Sequence, residues 1–292
     1  MECETDFSAW IGREETAQER IDPLRVAALA ATLDCGVAPA EGDPLPPGWQ
    51  WLLFNPAVRH SLLGEDGHPR RDGTAGFLPP VPLPRRMWAG GRIRYRVPLR
   101  VGALALRTSR ILTVVPKQGR GGRICFVTVE HTTACDGRTC IVEEQDIVYR
   151  EAAAPARPGA APVAPPPADP VQVQERRILT PGSTLLFRYS ALTFNGHRIH
   201  YDLPYAQEVE GYRGLVVHGP LTATLLQQFA QDFRPGTRLA RFDFRGVAPL
   251  IAGEAVELQV CGDPADAQGL LLRAIDRHGA LAMQASAGWA PA

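Results

Sequence analysis

Apolar residues fall at helical spacing twice in this chain and alternate at strand spacing through much of the rest. The first helical stretch follows Asp22-Pro23, a carboxylate N-cap with a proline in the first turn, and continues LRVAALAATL. The second opens at His218-Gly219-Pro220 and runs LTATLLQQFAQDF, apolar at 221, 225, 226 and 229, which is the spacing of a buried helix. Strands are expected at 92–99, 105–115, 124–133 and 139–149, segments rich in Ile, Val, Thr and Tyr that Gly or Asp-Gly turns separate into an antiparallel meander. A second set is expected at 183–189, 238–244, 255–261, 270–276 and 281–287. Between the first helix and the first strands lies a Pro/Gly-rich passage, 43–84, where Trp49, Trp51 and Phe54 are candidate packing anchors.

Composition then divides the chain. From Ala152 to Pro170, fifteen of nineteen residues are Ala or Pro, which cannot form a central strand. Residues 151–170 are therefore expected to be a semi-extended linker between two halves of similar kind, 1–150 and 171–292. A helix against a curled antiparallel sheet in each half gives an α+β fold. Lys plus Arg (31) balances Asp plus Glu (31), so no long-range field favours nucleic acid or a charged membrane surface. No apolar run reaches ~18 residues, and the acidic start MECETDFSAW lacks the basic end of a leader, so a cytoplasmic protein is expected. The six cysteines form no C-x-x-C pair, which argues against a zinc module. Cys135 and Cys140 flank an Asp136-Gly137 turn that could bring their sulfurs together, although a reducing compartment opposes a disulfide.

The chemistry concentrates in Ser190-Ala-Leu-Thr-Phe-Asn-Gly-His-Arg-Ile-His-Tyr-Asp-Leu-Pro-Tyr-Ala206, which holds two histidines, an asparagine, an aspartate and two tyrosines outside any apolar periodicity. Shortly after it, Gly214-Leu-Val-Val-His-Gly-Pro-Leu-Thr222 turns into the second helix. A glycine at that helix start lets a ligand approach the backbone, and the first-turn N–H groups carry the positive end of the dipole. Such an end can hold a carbonyl oxygen as it becomes an enolate. His197 and His200 lie three apart, a spacing that aligns side chains on a helix but not on a strand, so a metal site is not expected. Ala89-Gly-Gly91 precedes an expected strand, not a helix, and is no phosphate loop. Asp202 reads either as a turn or N-cap residue or as a catalyst, and His200 taken alone either as a base or as a core histidine bonded to a carbonyl.

Asn195-Gly-His-Arg-Ile-His200-Tyr-Asp202, Tyr205-Ala206 and Val217-His218-Gly219 together resemble the hydratase signature of MaoC-like hot-dog enzymes. Phe77 to Gly91, Arg100-Val-Gly102, Glu143 to Arg150 and Phe244-Arg-Gly-Val-Ala-Pro249 are similar to the double-hot-dog subgroup of mesaconyl-C4-CoA hydratases and mitochondrial-type 3-hydroxyacyl-thioester dehydratases. The resemblance implies a double hot-dog, two curled antiparallel sheets each wrapped on a helix, with a non-catalytic domain at 1–150 and a catalytic one at 171–292. It implies His200 as the catalytic histidine and Gly219 as the oxyanion-hole glycine. Asn195 stands where the general pattern has Asp, and His197 where it has Asn.

From these readings the chain is expected to be a hydro-lyase interconverting 2-enoyl- and 3-hydroxyacyl-thioesters, with a short branched or dicarboxylic acyl unit such as mesaconyl- or itaconyl-CoA. His200 would transfer the proton, and Asn195 would orient water, since an amide cannot serve as a base near neutral pH. His197, Arg198, Tyr201 and His218 are candidate substrate contacts, His218 alternatively closing the helix start. Arg85 and Arg86 are candidates for the phosphates of CoA. No cofactor is called for beyond the thioester, which is the electron sink. The partner is an acyl-CoA or acyl carrier protein substrate, and the chain would be a monomeric pseudo-dimer or a homodimer. The rivals are a hot-dog thioesterase, which would release free CoA, and a non-catalytic acyl-thioester binder.

Overall fold

The computed structural model describes residues 6–70, 76–119, 122–151, 171–263 and 266–290. Most of the expected linker, 152–170, therefore lies outside the described residues. The first half contributes strand β1 (Glu14–Arg20), helix α1 (Pro23–Thr32) and strands β2 (Arg85–Tyr95), β3 (Leu104–Gly119), β4 (Gly122–Cys135) and β5 (Arg138–Arg150). The second contributes β6 (Val173–Leu179), α2 (Ser183–Leu192), α3 (Gly219–Phe233), β7 (Leu239–Gly246), β8 (Val256–Asp263), β9 (Asp266–Ile275) and β10 (Leu281–Trp289).

The ten strands of the described residues form one antiparallel sheet in the order β1-β3-β4-β5-β2-β7-β10-β9-β8-β6. The two halves meet in the β2–β7 ladder, where Gly91 pairs with Phe244 and Ile93 with Phe242. Glycine is required at this junction. A Cβ on Gly90 would stand 2.5 Å from the Phe244 carbonyl oxygen, and one on Gly91 would stand 2.9 Å from the Phe244 ring. Arg94 closes the same ladder with an ion pair to Asp243.

Helix α1 begins as its sequence requires, with the Asp22 carboxylate accepting the Leu24 N–H at 2.9 Å. Helix α3 buries Leu221, Leu226 and Phe229 of the expected stripe, together with Ala230, against β7–β10, while Leu225 of that stripe is only half-buried. Among the described residues the first half has no helix of that length. In its place Trp49–Leu52 forms a short 3₁₀ turn with Trp49 and Leu52 buried, and Gly48 presses on Thr224 and Gln227 of α3. The expected Asp136-Gly137 turn joins β4 to β5, both residues at positive φ, and Cys135 and Cys140 are free thiols.

Residues 183–189, expected as a strand, form α2 instead. Leu186, Tyr189 and Ser190 are buried at helical offsets, and α2 packs on α1. The strands β1 and β6 were not expected, because EETAQER and VQERRIL are polar, exposed edge strands with little burial alternation. With them in place each half begins strand then helix, and the two-half repeat becomes regular.

The β2–β7 ladder has a direct consequence for dissection. Residues 171–292 alone would present β7 as an uncovered edge and strip first-half partners from the shared core. That fragment should be insoluble or self-associated and inactive, as size-exclusion chromatography would show; a soluble, active monomer would contradict the fold described.

Candidate active site

Val216 is strapped to its surroundings on two sides. Its N–H donates to the Ile199 carbonyl at 2.9 Å, and it bridges to Ile251. Ile199, Val216 and Ile251 are buried together with Tyr205 and Ala206 in a small core beside the main one. This packing fixes the next group in the sequence: the Val216 carbonyl accepts a 2.7 Å hydrogen bond from His200 Nδ1. A carbonyl can only accept, so Nδ1 carries the proton and Nε2 is left as the basic nitrogen.

Behind His200 stands His218, its ring stacked at 3.6 Å and 20°. His218 is 0% exposed, bonds Ser190 Oγ through Nε2 at 2.8 Å, and has no partner for Nδ1 among the described residues. It therefore backs the His200 ring and, unlike His197 and His200, does not line the cavity that those two share. Nor does its side chain cap α3.

Asn195, Gly196 and His197 form a turn in which Asn195 Oδ1 accepts the His197 backbone N–H at 3.0 Å. The amide N–H2 of Asn195 is the donor that remains. The His197 ring lies 5.5 Å from that of His200, edge to face. Burial pushes both histidines down, His200 to about 4 against the bond to Val216, and His197 to about 2 with help from neighbouring histidines. Burial likewise holds His218 well below its ordinary value, with His200 and His197 adding to the effect.

Gly219 starts α3 with Pro220 next to it, and a Cβ at Gly219 would meet nothing within 4 Å. No backbone acceptor among the described residues takes its N–H. His200, Asn195, His197, Tyr201, Gly219 and Arg86 all line one cavity of about 1980 Å³ that crosses from one half into the other. A donor from a helix N-terminus and an uncharged imidazole base thus face the same space, which suits proton transfer beside a polarised carbonyl.

Of the remaining candidates, Arg85, Arg198 and Asp202 do not line this cavity. Arg85 is 8% exposed and pairs with Glu210 through Nε–Oε2 at 3.1 Å and the Glu210 carbonyl at 2.6 Å, so it is not available to a phosphate. Arg198 spends its guanidinium on Asp202 at 2.6 Å, the Glu65 carbonyl at 3.0 Å and the Tyr205 ring, and does not line the cavity. Tyr201 reaches the cavity, with its hydroxyl donated to the Gly196 carbonyl at 2.9 Å. Asp202 accepts the Tyr205 N–H at 3.1 Å and is the turn residue of its two readings.

The sequence reading missed the first half's share of the wall. Glu143 is buried, accepts Trp51 Nε1 at 2.8 Å and Gln50 Nε2 at 3.3 Å, and is raised by burial. His131, opposite it in the β4–β5 ladder, and Arg107 also line the cavity. His68 does too, on a turn beside His197. The signal for His131 and Glu143 was present as polar residues at inward positions of two strands; His68 had none, since the contact with His197 that brings it to the site comes from the other half.

A model of the family described as hydroxyacyl-thioester dehydratase type 2 matches residues 48–252. The mesaconyl-C(4)-CoA hydratase of Chloroflexus aurantiacus is 50% identical over 248 residues, covering 84% of this chain and 85% of that protein. The mitochondrial hydroxyacyl-thioester dehydratase type 2 of Schizosaccharomyces pombe is 26% identical over 282 residues, 84% of this chain and 87% of its own. Among solved structures, HtdX of Mycobacterium tuberculosis superposes with a TM-score of 0.66 at 19% identity, over 95% of this chain and 100% of that one. A second M. tuberculosis protein, described as a double hotdog fold, gives 0.56 at 15% identity over 96% of each chain. These two likenesses establish the double hot-dog fold.

The depressed histidines link the site to stability. In the unfolded chain each takes up a proton near pH 6.5, whereas in the folded chain His200 resists until about 4 and His197 until about 2. Protons therefore favour the unfolded state, and stability rises with pH between about 4 and 6.5, by about 1.4 kcal/mol per pH unit for each histidine kept neutral. Tm should fall steadily from pH 7 to pH 5, and less steeply in His197→Gln; a Tm flat across that range would contradict the burial described.

Proposed function

The chain belongs to the hydroxyacyl-thioester dehydratase type 2 family, and on that premise we propose that it is a hydro-lyase interconverting 2-enoyl- and 3-hydroxyacyl-CoA thioesters at His200 and the start of α3. The observation that carries the assignment is the pairing of His200, its Nδ1 committed to Val216, with the unpartnered helix start at Gly219 across one cavity. The thioester oxygen docks on the Gly219 N–H, where the helix end stabilises the charge that develops on it. Water held by the Asn195 amide gives its proton to His200 Nε2 as its oxygen bonds to C3. The C2–C3 electron pair moves into the thioester as an enolate, which then takes a proton at C2. Dehydration is the reverse. The depressed His200 keeps the free base populated at neutral pH.

The thioester supplies the electron sink, so the scheme calls for no metal or redox group. For the acyl unit we propose a short branched or dicarboxylic chain of the mesaconyl or itaconyl kind, carried on CoA. The polar first-half wall of Arg107, His131 and Glu143 supports a polar acyl end over a long alkyl chain, and the likeness to the Chloroflexus hydratase agrees. Arg86, which lines the cavity near His197, is the one of the paired arginines 85 and 86 that can meet the phosphates of CoA. Because β2–β7 already joins two hot-dog halves, we propose that a single chain is a complete catalytic unit with one site. No helix among the described residues is long and apolar enough to cross a membrane.

A panel of 2-enoyl-CoAs incubated with the protein and followed by mass spectrometry should show the gain of one water on at least one short member. His200→Ala should lower that rate on the order of a hundred-fold or more while the fold persists. Release of free CoA in place of hydration would favour a thioesterase, binding with no turnover at any pH a carrier, and full activity in His200→Ala would remove the assignment.

A further inference from the structure

One more acid–base pair stands on the cavity wall, and it comes from the first half. Residues 63–69 form a tight turn closed by a Leu63–Pro69 bridge and by the Gly64 N–H on the His68 carbonyl at 2.7 Å. The turn is docked on the catalytic run. Arg198 donates its N–H to the Asp66 carbonyl at 3.0 Å, and Gly67, at φ +83, lies so near Gly196 that a Cβ there would come within 1.9 Å of the Gly196 oxygen.

This docking sets the His68 ring 4.3 Å from that of His197, and His68, His197 and His200 line the same space. His68 Nδ1 meets Asp66 Oδ2 at 3.1 Å, and Asp66 Oδ1 accepts the His68 backbone N–H at 2.9 Å. Burial pulls the Asp66 carboxyl up, but the hydrogen bonds and charge of His68 outweigh it and hold the group below its ordinary range. An ionised carboxylate on Nδ1 fixes the ring and favours its protonated form. Among the described residues, the charged and titratable groups near His68 include Glu65, Asp66 and Arg70 on its own segment, His197, His200 and Arg198 of the second half, and Arg86 of β2.

We propose that His68, held by Asp66, is a second proton-transfer residue of the site, supplying from the first half the carboxylate-backed acid that Asn195 cannot provide. The inference rests on the hydration reading above. In hydration, His200 takes the proton of the attacking water while the new C3–O bond forms and the C2–C3 pair becomes the enolate. The His68 imidazolium then gives its proton to C2 as the enolate collapses. His200 ends protonated and His68 neutral, and one proton returned from His200 to His68 through solvent restores the starting state, so the net reaction adds one water. In this scheme the first half contributes chemistry as well as a wall.

The test is the pH dependence of kcat/KM for the full-length protein, His68→Gln and Asp66→Asn, with whichever enoyl-CoA the wild type hydrates. The wild type should give a bell whose acid limb reports His200 and whose alkaline limb reports His68. His68→Gln should be on the order of a hundred-fold slower and lose the alkaline limb. In Asp66→Asn the side-chain oxygen can still accept the His68 backbone N–H, but loss of the charge should move the alkaline limb to lower pH. A merely structural pair would lower the whole curve without moving either limb. If His68→Gln does not fold, the limb position in Asp66→Asn decides alone. An alkaline limb unchanged in either variant, with the wild type active, overturns this proposal and leaves the hydratase reading intact. A wild type that hydrates no enoyl-CoA overturns both.

Discussion

Between β2 and β7 two strands from opposite parts of the chain share one ladder, and everything that makes a site here depends on their meeting. Glycine at 90 and 91 lets the backbones close where any side chain would strike Phe244. The junction merges what would be two small cores into one in which Ile21, Ile93, Leu186, Leu226 and Phe242 are buried together. It also sets the Trp49–Leu52 turn of one half on α3 of the other, with Tyr95 bonded to Gln227 at 2.6 Å. The cavity is the space this joining leaves, and for that reason its wall is drawn from both halves.

Within that frame the chemistry follows from a short chain of obligatory bonds. The small core around Ile199 and Ile251 holds Val216, the Val216 carbonyl selects the His200 tautomer, and His218 fills the space behind the ring. None of these partners touches substrate in the proposed reaction, yet each fixes where the basic nitrogen points. Burial keeps the imidazole uncharged, so it accepts protons without an adjacent carboxylate, and Asn195 is then consistent with catalysis, its carbonyl held by the His197 N–H.

The parts of this arrangement written in local sequence were legible. Asp22-Pro23 and Gly219-Pro220 announced α1 and α3, Asp136-Gly137 announced its turn, and the Asn195 to His200 run announced the site. What failed were features whose cause lies elsewhere in the fold. β1 and β6 are edge strands with polar side chains, so ladder pairing and not burial makes them strands. Residues 183–189 carry strand-like apolar character that packing on α1 turns into a helix. Arg85 read as a candidate for the phosphates of CoA until folding brought Glu210 to it, and the Asp66–His68 pair gains meaning only where Gly67 meets Gly196. Pairwise distance in sequence is what separates the two groups.

Polarisation of the thioester by the start of α3 is the central claim, and difference infrared spectroscopy of a bound, unreactive saturated acyl-CoA carrying carbon-13 at the thioester carbonyl tests it most directly. A carbonyl docked on the Gly219 N–H, at the positive end of the helix, must stretch at lower frequency than in free solution, because the bond is drawn toward the enolate form. A bound ligand whose carbonyl stretch stays at its solution value would contradict the account.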